Sequence, residues 1–364
     1  MLFYIILFII CVFLSYFSSF LHENKYENKK VLFLIDFLPY LILIIITGFR
    51  YNVGTDYIGY TRNFVTLKYA DIERIEFSFR LIVSMVHQLG LDQQLMFFIY
   101  STITYTLIFL GVRYFDPEGK YRHFVMALLI TLFLFNIFNT IRQMAAVAII
   151  FYSLKYILEK KYIIYVVLIL LGYFFHKSAI VFGVFFLIIL QFNIRFYLGL
   201  LIVAPVMFFT NFINFVISLY VRFTGSVFYQ IYASGGNARV NVSSGIGILI
   251  FFVIAVIFYI FYDQIVKTKK QEMIVKLYII YASLYLIFLP SEIATRMLYY
   301  PLMIVPLALP LLIEISKDEK EQIYIKYVMI AIVLLLFGDL MLSSIPYFES
   351  GGVLEYAFRF IGKG

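Results

Sequence analysis

The sequence predicts an all-α polytopic membrane protein of about 12 transmembrane helices, with one further amphipathic helix that stays on the outer side without spanning. Three observations predict it. Of 364 residues, 63% are hydrophobic and only 14% are charged, which is more apolar surface than a soluble fold of this length can cover. The apolar runs are continuous over roughly 18–22 residues, enough to cross about 30 Å of hydrocarbon as helices; a barrel would show alternating segments of about 10 residues. Lysines alternate between loops, dense in one and sparse in the next, as short loops on opposite faces of a membrane require. The net charge of +8 therefore reflects orientation and does not mark a nucleic-acid partner.

The spans are expected at 2–20, 31–48, 93–113, 121–139, 140–158, 162–175, 178–192, 196–220, 244–263, 272–289, 297–314 and 324–343. The first has no basic leader and no small-residue cleavage site, so it reads as a retained signal anchor. It holds Cys11, the single cysteine, which leaves no intrachain disulfide and no cysteine metal site. The second contains one acid, Asp36, and runs into Arg50-Tyr51-Asn52-Val53-Gly54-Thr55-Asp56-Tyr57. The segment Glu76 to Leu89 is apolar but short and carries Arg80 and His87. If it spanned, the alternation of lysine-rich loops would break, so it is expected as an interfacial or re-entrant helix on the outer side. The last segment, 353–361, reads as a short amphipathic helix resting on the outer surface. The whole chain, 1–364, reads as one integral membrane domain with long outer loops at 49–92 and 221–244.

With that alternation, Lys25, Lys29, Lys30, Lys120, Lys155, Lys160 and Lys161 face the cytoplasm, as do Lys267, Lys269, Lys270, Lys317, Lys320 and Lys326. The outer side is poor in lysine yet holds Arg50, Arg62, Arg74, Arg80, Arg142, Arg222, Arg239, Arg296 and Arg359. Topology alone would exclude both cations. Arginine kept there suggests a task for its planar five-donor fork, above all the binding of phosphate or carboxylate. The alternative is pairing with the outer acids Asp71, Glu73 and Glu76.

Several positions are candidates for chemistry. Gly54 can supply a turn, Arg50 falls where an anionic headgroup would lie, and Asp56 can accept a proton, orient a hydroxyl, or pair with Arg50. Tyr57 offers a ring for a sugar face. Arg142 and Gln143 open a helix, near its positive dipole end, which favours an anion nearby. His176 follows the run 162–175 and is suited to proton transfer near neutral pH. The loop 221–244, rich in glycine and tyrosine and carrying Arg239, suits a mobile cover over carbohydrate or a simple connector. Glu292 and Arg296 are four apart and can pair on a helix; the alternative aims Arg296 into the outer cavity. No phosphate-binding GxxxxGK[ST], no HExxH and no acidic metal clamp is present, so neither a metal nor another cofactor is expected, and arginines would handle any anionic leaving group.

Five stretches in order carry a resemblance: RYNVGTDYIGY, the acid-led segment from Glu76, IRQMAAVAI with the basic KYILEKKY turn, FFHKSAI, and TRMLYYPL. Together they resemble the EpsG-like family of polysaccharide polymerases, which is similar to the Wzy-type O-antigen and capsule polymerases. The resemblance implies a bacterial inner-membrane glycosyltransferase. Such enzymes join oligosaccharide repeat units carried on undecaprenyl diphosphate at the outer face, releasing the diphosphate lipid. It carries a role onto Arg50, Asp56, Arg142, His176 and Arg296 without saying which is the base. The expected assignment is His176 or Asp56 as proton acceptor, with Arg50, Tyr57, Arg142, Gln143, Arg239 and Arg296 binding substrate. Expected partners are a lipid-linked oligosaccharide donor and acceptor, membrane lipid, a chain-length regulator and a flippase. A flippase for the same lipid would place its ionisable residues near the bilayer midplane, whereas here they crowd one face. A glycan ligase is hardly separated from a polymerase by sequence, and an acyltransferase would want its histidine in a buried channel.

Overall fold

The computed structural model of the chain describes residues 1–67, 75–224, 246–343 and 357–358. The chain is helical, and its packing divides it into two compact units, Met1–Val184 with Ile323–Gly364, and Phe185–Gln322. Among the described residues, seven helices are long and apolar enough to cross a membrane, or eight if one pair bent by 71° counts as a single span. The fold is that of a polytopic membrane protein.

The first unit opens with α1 (Leu2–Glu23) and α2 (Lys29–Gly48). Asn28 starts α2, its side chain accepting from the Lys30 and Val31 amides at 3.1 and 3.2 Å. A two-residue strand β1 (Arg50–Tyr51) and two short helices follow, α3 (Tyr57–Thr66) and α4 (Phe77–Gln88). Then come α5 (Gln93–Phe115), α6 (Arg122–Asn139) and α7 (Ile141–Leu158). Helix α5 lies between α2 and α7, and α1 packs on α2 and α6.

Helix α4 is the expected non-spanning segment: its 12 residues extend only about 18 Å. It buries Phe79, Ile82, Val83 and Val86 against its neighbours, yet Phe77, Leu81, Met85 and Leu89 are exposed at a spacing of four. An apolar stripe on the outward face suits contact with lipid.

Helices α8 (Tyr162–Phe175) and α9 (Ser178–Ile189) form an antiparallel hairpin. The Tyr165 hydroxyl donates to the Gly183 carbonyl at 2.8 Å, and a Cβ on Gly183 would sit 2.6 Å from Ile169. With 14 and 12 residues, these helices are only about 21 and 18 Å long, short of the hydrocarbon thickness.

The second unit holds α10 (Ile194–Phe209) and α11 (Phe212–Thr224), the bent pair, then α12 (Ile246–Ile260) and α13 (Tyr262–Ile265). Its centre is α14 (Lys269–Phe288), started by a capping box between Thr268 and Gln271, with α10 and α12 packed on it. Next are α15 (Glu292–Met297), α16 (Tyr299–Leu302), α17 (Val305–Ala308) and a 3-10 turn, Leu309–Ile315. Pro301, Pro306 and Pro310 fall where the expected span 297–314 fragments, each removing an amide from the helical ladder.

The chain returns to the first unit in α18 (Glu319–Ser343) and β2 (Ala357–Phe358), which pairs antiparallel with β1 through Arg50 and Phe358, Tyr51 and Ala357. This corrects the amphipathic helix expected over 353–361. Its central pair is a strand, because the open edge at Arg50–Tyr51 takes a backbone partner; the rest of that segment lies outside the described residues. The loop expected to cover the site, with Arg239, lies outside them too.

Candidate functional site

The residues singled out in the first unit gather at one end of it, where α2 and α6 end and α5 and α7 begin. The loop after α2 is pinned there. The Arg50 guanidinium is fully buried and donates from Nε to the Val53 carbonyl, from Nη1 to Thr47 and from Nη2 to Phe138, at 3.1, 2.7 and 2.9 Å. It also lies over the Phe97 ring at 4.4 Å. Sequence reasoning set Arg50 at the boundary to meet a headgroup; in the folded chain its fork is turned inward onto three backbone carbonyls, one each of α2, the loop and α6. Gln94 completes the anchorage, donating to the Gly48 and Arg50 carbonyls at 2.6 and 2.9 Å. Gly54 has φ +102°, and a Cβ there would meet Asn139 Oδ1 at 2.8 Å. That same oxygen accepts from the Thr55 amide at 2.8 Å, so the glycine permits the clasp between loop and helix.

The clasp sets the start of α3, whose Tyr57, Tyr60 and Phe64 turn inward at helical spacing. Tyr57 stacks on Phe97 at 4.9 Å. Tyr60 lies beneath the Arg142 guanidinium, 5.7 Å from its ring centroid, and Phe79 of α4 stands on another side at 5.5 Å. Arg142, in the first turn of α7, pairs with Glu76, the residue that starts α4. Both side chains keep some exposure, 25% for Arg142 and 13% for Glu76. This is the alternative raised from sequence, an outer arginine paired with an outer acid, but in a pair that remains accessible and walled by aromatic rings.

His176 is at the tip of the α8–α9 hairpin, its Nδ1 2.6 Å from the Ser178 hydroxyl. Burial lowers its pKa from the ordinary histidine range; the Glu76 carboxylate opposes that shift and the Arg142 guanidinium adds to it. The imidazole therefore feels both members of the ion pair. Burial raises the Tyr60 pKa, which Arg142 opposes and Asp56 reinforces, so Tyr60 is a neutral hydroxyl.

Among the residues expected to act, Arg142 and His176 are brought together here. Asp56 stands exposed at the start of α3, acting on Tyr60, and Gln143 is buried beside Arg142 in the first turn of α7. Arg296 is exposed in the last turn of α15, in the second unit. Sequence reasoning did not place Glu76, Tyr60 and Phe79 in the site. The acid opening an apolar segment marked Glu76, and Tyr57, Tyr60 and Phe64 at i, i+3 and i+7 were the signal for α3. Among the described residues, no three His, Cys, Asp or Glu side chains gather to hold a metal ion.

A guanidinium held by a carboxylate between aromatic rings, with an imidazole beside it, can receive an oxyanion and move a proton. No curated protein and no solved structure matches the chain. The EpsG family profile matches residues 33–358, from α2 through the strand that closes on Arg50, and the chain belongs to the EpsG family.

Proposed function

We propose that this protein is a glycosyltransferase that polymerises oligosaccharide repeat units carried on undecaprenyl diphosphate, at the outer face of a bacterial cytoplasmic membrane. The family supports a membrane protein of polysaccharide biosynthesis. The observation that carries the finer reading is the accessible Arg142–Glu76 pair beside His176.

In the proposed reaction, an acceptor hydroxyl forms a bond to the anomeric carbon of the donor glycan. The bond from that carbon to the diphosphate oxygen breaks, and the diphosphate lipid leaves with the electron pair. Arg142 stabilises the charge that grows on the leaving oxygen. Glu76 engages Nη1 and so fixes the guanidinium plane, while the five-donor fork retains N–H groups for phosphate oxygens. His176 takes the acceptor's proton, and its lowered pKa keeps it neutral and ready near pH 7. Asp56, whose charge acts on Tyr60, is the alternative proton acceptor. Arg50 serves by holding the loop that positions α3, and Tyr57 by fixing the start of that helix through its stack on Phe97.

The test is polymer length in cells carrying Arg142→Ala, read as a glycan ladder on a gel. Single-repeat glycan in place of the ladder, with the protein at its normal level in the membrane, is expected. Loss of all surface glycan would assign the chain to export or ligation, and an unchanged ladder would remove Arg142 from the reaction.

A further inference from the structure

Helix α3 has two working faces. One carries Tyr60 to the Arg142 centre; the other borders a groove of about 630 Å³ at the surface of the first unit. That volume falls within the range of roughly 300–1,000 Å³ found for small-ligand sites. The groove is lined by Tyr51, Asn52, Tyr57, Thr61, Arg62 and Gln93, among others. Two rings, two amides, a hydroxyl and one cation make a carbohydrate's complement: flat apolar faces for C–H surfaces, and donors and acceptors for hydroxyls.

Three details show that the groove is built. Asn52 has φ 53°, a conformation that asparagine tolerates better than most residues, and this places its amide at the groove. The Thr61 hydroxyl oxygen is buried and has no hydrogen-bond partner among the described residues. A buried hydroxyl left so is costly unless something supplies the partner. Arg62 is exposed, and among the described residues it pairs with no acid and no acid lines the groove. Ile58 and Val65, 61% and 51% exposed on the same helix, add an aliphatic wall.

We propose that this groove binds the saccharide of a second lipid-linked glycan, the acceptor, and that Arg62 meets an anionic group on it. The proposal rests on the polymerase reading, which requires two glycans at once, and it separates them: the donor diphosphate goes to Arg142, the acceptor glycan to the other side of α3. The Thr61 hydroxyl bonds a sugar hydroxyl, and Tyr51, exposed at the rim, presents its ring to a sugar face with Tyr57 packed behind it. The anion on the ligand is either an acidic substituent of a sugar or the lipid-linking phosphate.

The probe is the lipid-linked oligosaccharide that accumulates in Arg142→Ala cells, used intact and after release from its lipid by mild acid. Binding to full-length protein in nanodiscs is measured by calorimetry. Thr61→Ile and Arg62→Ala are expected to weaken binding about tenfold or more, with Thr61→Ser close to wild type. Added salt weakens the wild type more than Arg62→Ala. If Arg62→Ala weakens the released sugar as well as the intact lipid, the anion is on the sugar; if only the intact lipid is affected, it is the phosphate. Accumulation of the lipid-linked pool with unchanged binding by both groove variants would overturn the assignment of the groove alone. No accumulation in Arg142→Ala cells would overturn the polymerase reading and this assignment with it.

Discussion

Arg50 donates to the carbonyls of Thr47, Val53 and Phe138, whereas Arg142 meets the carboxylate of Glu76, and the two should fail differently. Shortening Arg50 to lysine keeps the charge but cannot reach three carbonyls in one plane. Each buried acceptor left unmet costs about 1–3 kcal/mol. Arg50→Lys is therefore expected to lower the melting temperature of the purified protein and its level in membranes; a variant as stable as the wild type would show that the three bonds do not anchor the loop. Arg142→Lys is expected to keep the normal level but lose about 10²–10³-fold in polymerisation rate, because the proposed reaction needs the planar fork at the leaving oxyanion. His176 adds a pH dependence. Its pKa is lowered by burial, so the neutral, proton-accepting form persists below the ordinary histidine value of about 6.5, and the rate should fall only at more acid pH. Glu76 favours the charged imidazole, so Glu76→Gln should move that acid limb further down; a shift upward in vesicle assays would contradict the proximity of the pair. The same lowered pKa makes the fold lose stability as pH falls from the unfolded histidine value towards the folded one.

At the scale of elements, the α8–α9 hairpin places His176, and its closeness depends on Gly183. A methyl there would lie 2.6 Å from Ile169 Cγ1, and Ile169 is buried, so the two helices must part. Gly183→Ala should cost about 1–3 kcal/mol of stability and reduce activity by displacing the tip. In combination with Ile169→Ala, the loss should be smaller than the sum of the two single losses; strict additivity in thermal unfolding would show that the contact is not what holds the hairpin. The hairpin also shows what the sequence disclosed. Apolar continuity located 162–175 at the bounds that α8 has, but hydropathy does not say how a 14-residue helix is matched to the thickness of the hydrocarbon. The broken run after Leu298 was legible in its three prolines, yet mean hydropathy merged its pieces into one span. Helix α3 was hidden because only three inward aromatics in 10 residues mark it, and a loop rich in polar groups masked their spacing.

For the molecule as a whole, the first unit has two ends of opposite character, and both were only partly visible beforehand. At the end away from the site, Asp36 is buried, pairs with Arg122, accepts from the Ser18 hydroxyl at 2.6 Å and lies 3.2 Å from His22 Nε2. The sequence showed an acid in an apolar run; its partner, on α6, could come only from the packing of α1, α2 and α6. Removing one member of a buried pair costs about 3–5 kcal/mol, so Asp36→Ala should destabilise strongly, and Asp36→Leu with Arg122→Met should recover most of the loss in thermal unfolding. The lysine-rich turns at Lys25, Lys120 and Lys160 lie at that end, and Arg142 with His176 at the other. By the positive-inside rule the lysine turns are expected in the cytoplasm and the site outside. Helix α8 runs from one end to the other, Lys161 at its start and His176 at its finish, so it offers a direct check. In a Cys11→Ala background, Arg62→Cys should react with a membrane-impermeant maleimide on intact cells, and Lys161→Cys only after permeabilisation. The reverse pattern would put the Arg142–Glu76 pair in the cytoplasm. A lipid-linked glycan would then have to meet it before export, and polymerisation at the outer face would be ruled out by orientation alone.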